Sequence, residues 1–65
     1  MRKFEPGEKV TYVPRWGKLQ IGIVKSISNG THSFVVYNCG GDWDHYEDYT
    51  AAKTENCYLL RGWIF

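Results

Sequence analysis

Turn-forming residues interrupt this chain at Pro6-Gly7, Pro14, Asn29-Gly30 and Gly40-Gly41, and only short runs rich in β-branched and aromatic residues lie between them. Pro fixes φ and removes a ladder donor, and Gly admits φ > 0, so each pair punctuates the backbone. The runs between them suit a pleated, half-buried surface. Lys9–Val13 alternates and stops at Pro14, as a strand must. Gln20–Ile27 reads as a second strand with Ile21, Ile23 and Ile27 on its apolar face. Gly22 inside it predicts a bulge or sharp bend. Asn29-Gly30 is a strong hairpin signal and makes Ser33–Tyr37 the partner strand.

Past Gly40-Gly41, Trp43, Tyr46 and Tyr49 recur every third residue, the repeat of a 3₁₀ turn. Tyr49–Thr54 fits a fourth short strand. Thr54-Glu55-Asn56 could start a single turn, and Arg61–Phe65 an apolar last strand. That order predicts an all-β domain over residues 1–65: a small five-stranded SH3-like or Tudor-like barrel with a short helical insert around 42–49. Near closure of a barrel also deals with exposed strand edges.

At 65 residues the chain is near the lower limit for independent folding. Self-association or another staple is therefore expected. Three Trp, five Tyr and three Phe can fill a small core or form a stacking surface. Cys39 and Cys57 are too few for a secreted disulfide scaffold, so free thiols are expected ahead of a Cys39–Cys57 bridge. No signal-peptide pattern opens the chain and no apolar run is long enough for a membrane span, which implies a cytoplasmic protein without a membrane partner.

The net charge of +1 conceals an asymmetry. Residues 1–41 hold six basic side chains against Glu5 and Glu8, a balance of +4. Residues 42–65 hold Lys53 and Arg61 against five carboxylates, a balance of −3. Copies of such a chain could associate head to tail. The profile is not that of a general nucleic-acid binder.

The segment FVVYNCGGDWDHYEDYTAAKT at 34–54, followed by Leu59 and Gly62-Trp63, resembles a family of small barrels encoded by phages and prophages. The openings PGEKVTYVP at 6–14 and GIVKSI at 22–27 match it too. Tyr58 stands where that pattern usually has an acidic residue, so a polar contact there is not carried over. The resemblance implies an SH3-like (Tudor-like) barrel. It also points to anti-CBASS-type sponges, which sequester a cyclic-nucleotide immune signal in the cytosol of a bacterial host.

The chemistry-bearing residues fit such a ligand. Arg15 and Lys18 would neutralise phosphates and Trp16 lies between them. Trp43, Tyr46 and Tyr49 would stack on bases, with Tyr46 expected to be the most exposed. Asn38, Thr50 and Thr54 would donate or accept hydrogen bonds. Charge for phosphate and a flat face for the base are what a nucleotide needs. The plainer alternative is that the rings pack onto the barrel, the hydroxyls serve strand and cap, and the charges are solvated.

Asp42, Asp44, Glu47 and Asp48 lack Ca²⁺-loop spacing and have no nucleophile beside them. His32, His45, Cys39 and Cys57 lack zinc-ligand spacing. No catalytic residue, metal or other cofactor is therefore expected. The expectation is a non-catalytic homo-oligomer holding a nucleotide ligand between subunits. A Tudor- or SH3-type module for protein or nucleic acid is the alternative. Trp63-Ile64-Phe65 could be core strand or subunit contact.

Overall fold

The structure, a computed structural model, describes residues 4–64. Arg2, Lys3 and Phe65 lie outside the described residues. Five strands form one antiparallel sheet: β1 (Lys9–Tyr12), β2 (Gln20–Ile27), β3 (His32–Val36), β4 (Ala52–Glu55) and β5 (Leu59–Arg61). Their order across the sheet is β4-β3-β2-β1-β5. A 3₁₀ insert spans Trp43–Asp48 between β3 and β4, and a 3₁₀ turn, Asn56–Tyr58, joins β4 to β5.

That last connection dictates the shape. In a flat sheet β4 and β5 would lie four strand spacings apart, about 19 Å. A 3₁₀ turn advances about 2 Å per residue, so three residues carry the chain only about 8 Å. The sheet must curl until its two edges meet. β2 makes the bend: Gln20–Ile23 pairs with β1, whereas Ile23–Ile27 pairs with β3. The register slips between Val24 and Ser26, so the bulge sits at Lys25.

Gly22 is therefore not the bulge. A Cβ there would meet Val35 Cγ1 at 2.7 Å, the Val36 carbonyl oxygen at 2.7 Å and Tyr37 Cδ1 at 3.0 Å. The glycine is required because β3 crosses too closely for any side chain.

Cross-strand partners share a face. Val10, Val24, Val35 and Leu59, none of them measurably exposed, form the interior with Phe4. The opposite face is buried as well, at Thr11, Ile23 and Val36. Ile27, by contrast, is 43% exposed. The centre of β2 thus packs on both sides, which hides the alternation expected of a half-buried strand.

The C-terminal expectation needs correction. β5 is Leu59–Arg61, and Gly62 then turns the chain out of the sheet at φ +82. Trp63 folds back over β2, donating its indole N–H to the Gly22 carbonyl at 2.9 Å. The Thr11 hydroxyl donates to the Gly62 carbonyl at 2.7 Å and accepts the Ile64 N–H at 3.2 Å. Residues 62–64 are a strap across the outer face.

At the hairpin, Asn29 Oδ1 accepts the backbone N–H groups of Thr31 and His32 and the Thr31 hydroxyl. The asparagine side chain fixes this turn, and Gly30 is not in the positive-φ region.

Candidate functional site

Pro14 releases the chain from β1, and Gly17, at φ +102, reverses it toward β2. The five residues from Arg15 to Leu19 are all exposed. Trp16 is 85% exposed and Leu19 44%. Arg15 and Lys18 make no hydrogen bond or ion pair among the described residues. A free indole thus stands between two free cations, held by a loop anchored where the Val13 N–H donates to the Tyr58 carbonyl at 2.7 Å.

Below this anchor three tyrosines gather. Tyr12 stands 5.7 Å from Tyr37 and 6.3 Å from Tyr58, ring to ring, the second pair nearly edge-on. Tyr37 hydrogen-bonds the Thr54 hydroxyl at 2.7 Å, and burial pushes its phenol above the ordinary range. The sequence did not mark this trio, since its members come from three separate runs. Only curling of the sheet brings them together.

The 3₁₀ insert places Trp43, Tyr46 and Tyr49 on one side and Asp44, His45, Glu47 and Asp48 on the other. All three rings are half-buried, and Tyr46 is no more exposed in class than its neighbours. The Tyr46 hydroxyl lies 3.3 Å from where a Cβ on Gly7 would stand. Trp43 packs against Trp63 with ring centres 5.1 Å apart. Lys25, freed by the bulge, donates to the Tyr49 carbonyl at 2.8 Å. These contacts hold the insert down on the barrel, and Trp63 takes up part of the Trp43 ring.

Asp42 organises the start of the insert. Its carboxylate bonds His45 Nδ1 at 2.8 Å and accepts from the Tyr49 hydroxyl at 3.3 Å. The hydrogen bond and charge of Asp42 raise the His45 pKa above that of a free histidine. Tyr49 is also raised, by loss of water around its hydroxyl and by Asp42.

The remaining nominated groups are dispersed. Asn38 and Thr50 are exposed on the connection from β3 to β4, and Asn38 Oδ1 accepts the Gly40 N–H at 3.3 Å. Thr54 is buried, its hydroxyl donating to the Ala52 carbonyl at 3.3 Å while bonded to Tyr37. It faces the interior of the barrel. The nominated residues therefore fall on three elements: the β1–β2 loop, the β3–β4 connection and β4.

A depression of about 680 Å³ lies elsewhere, lined by Thr31, His32, Glu55, Asn56, Cys57 and Leu60 beside Gly30. Antiparallel pairing sets His32 opposite Glu55, with Nε2 3.9 Å from the carboxylate. The Cys57 thiol donates to Glu55 at 3.6 Å, and the Thr31 hydroxyl lies 2.7 Å from His32 Nδ1. Asn56 is the buried floor, fixed by the Ser33 hydroxyl at 2.7 Å and by its own N–H to the Thr31 carbonyl at 2.8 Å. The sequence nominated neither His32 nor Cys57 for a binding site, because the register that makes them neighbours of Glu55 is not a local pattern. Both cysteines are free thiols, Cys39 buried and Cys57 exposed.

Among the described residues no group of three or more His, Cys, Asp or Glu is arranged to hold a metal ion, and no helix is long and apolar enough to cross a membrane. No family model, curated protein or solved structure matches this chain.

Proposed function

We propose that this protein is a non-catalytic binding module for an anionic ligand with a planar group, of the nucleotide class, and that the β1–β2 loop is its principal contact. The observation that carries the reading is Trp16, 85% exposed between Arg15 and Lys18, neither cation having a partner among the described residues. Leaving an indole in water forgoes its burial, and a ligand carrying phosphates and a base would use all three side chains at once. The resemblance to phage barrels makes the preferred ligand a cyclic nucleotide, sequestered in the cytoplasm of a bacterial host.

The described chain measures only 29 × 24 × 17 Å, too small to enclose such a ligand. The site is accordingly assigned to a junction between copies, with Asn38 and Thr50 as further polar contacts. The half-buried Trp43, Tyr46 and Tyr49 serve first to hold the insert in place.

The test is a thermal-shift screen against cyclic di- and trinucleotides, mononucleotides and short oligonucleotides. One cyclic nucleotide should raise Tm by mass action and be recovered intact. Absence of a shift with every nucleotide would reject the reading. The Tyr12–Tyr37–Tyr58 cluster favours a second reading, a Tudor-type module for a methylated ammonium group. Stabilisation by a trimethyl-lysine peptide, with none by nucleotides, would select it.

A further inference from the structure

We propose that the depression beside the β2–β3 hairpin receives the Trp16 loop of a second copy, so that copies join head to tail. The inference deepens the ligand reading by naming what faces the Trp16 loop across the junction.

The two surfaces complement one another in shape and charge. The loop projects an indole 85% exposed and Leu19 44% exposed. The depression, about 680 Å³, has room for an indole with a second flat group beside it, and Leu60, 42% exposed, supplies apolar wall. Arg15 and Lys18 flank Trp16, and the depression's one carboxylate, Glu55, has its side chain 53% exposed. Insertion would bring a cation of the loop toward that carboxylate while covering both apolar surfaces.

The surfaces differ, so the contact is heterologous. Each copy offers one loop and one depression, and such contacts build rings or open chains rather than isologous dimers. A loop and a shallow depression bury less than the roughly 1,000 Å² of a stable interface. The association is therefore weak and concentration-dependent in the absence of ligand.

Sedimentation velocity over a concentration series up to about 1 mM, without nucleotide, tests this. The wild-type protein should sediment faster as concentration rises. Trp16→Ala and Leu60→Glu, each checked for folding by circular dichroism, should remain monomeric. An equimolar mixture of the two should form a two-chain species and nothing larger, because only one intact loop–depression pair is then available. Lys18→Glu and Glu55→Lys should each weaken association, and the double variant should recover it.

A wild-type monomer throughout, or a Leu60→Glu variant that associates like wild type, would overturn the proposal. So would association lost in Glu47→Gln/Asp48→Asn but retained in Leu60→Glu, which would put the partner's loop on the acidic insert. The two proposals fail separately. Nucleotide stabilisation of a strictly monomeric protein would remove this one, together with the placement of the ligand at a junction, and keep ligand binding by the loop. Association by the predicted pairs with no nucleotide shift would do the reverse.

Discussion

The indole N–H of Trp63 donates to the carbonyl of Gly22 across 41 residues of sequence, joining the C-terminal strap to the glycine that β3 crosses closely. Trp63 also carries the Lys9 ammonium 4.7 Å above its ring and packs on Trp43. One side chain thus fastens the strap, the outer face of β2 and the 3₁₀ insert. Trp63→Phe keeps most of the ring and deletes the donor. It should cost about 1 kcal/mol in urea denaturation, the usual net worth of one hydrogen bond.

Gly22→Ala should be worse than its single methyl suggests. The added Cβ falls 2.7 Å from the Val36 carbonyl oxygen, a backbone atom inside a ladder that cannot swing aside. Overpacking of this kind costs about 1–3 kcal/mol. A domain of this size has only a few kcal/mol in total. The variant should show a markedly lower denaturation midpoint, and a midpoint equal to wild type would mean that β2 and β3 are not so closely apposed.

Thr11→Val preserves shape and removes the buried hydroxyl that bridges Gly62 and Ile64. The strap then loses both bonds, a penalty of about 1–3 kcal/mol if its polar groups stay covered. Amide exchange at Ile64 should accelerate more than that of Val24, bonded to Glu8, which follows only the global loss of stability.

Trp16→Ala separates binding from folding. An 85% exposed indole contributes little to stability, so the midpoint should shift by no more than about 0.5 kcal/mol. Affinity for the nucleotide found by thermal shift should fall roughly 5- to 160-fold, matching about 1–3 kcal/mol for one stacked base. Unchanged affinity in calorimetry would move the site off this loop.

His45 makes stability depend on pH. Its folded pKa is raised, chiefly by the hydrogen bond to Asp42 and then by that carboxylate's charge, with smaller contributions from Asp48 and Asp44. The folded state therefore holds the proton more tightly than the unfolded chain. Its stabilising contribution is complete below the ordinary histidine pKa and is lost as pH rises through the higher folded value. An NMR titration should place His45 above a free histidine, and Asp42→Asn should lower it toward that value.

Some of these features were readable along the chain because they are local. The i, i+3 rings of Trp43, Tyr46 and Tyr49 announced a 3₁₀ insert, and Asn29-Gly30 announced the hairpin that the Asn29 side chain builds. The last strand was misplaced because the apolar run after Arg61 has another role: Trp63 and Ile64 cover the outer face instead of pairing within the sheet, which ends at Arg61.

By itself, the sequence determined the all-β class, the first three strand runs, the turns between them and the Arg15–Lys18 loop, since each depends on backbone preferences within a few residues. Tertiary structure alone decided that Gly22 must be bare, that Tyr12, Tyr37 and Tyr58 meet, that Thr54 faces inward and that His32 confronts Glu55. Those outcomes depend on register and on the curl of the sheet, which join residues with no local relation. A shift of one residue in pairing would turn every one of those side chains to the opposite face.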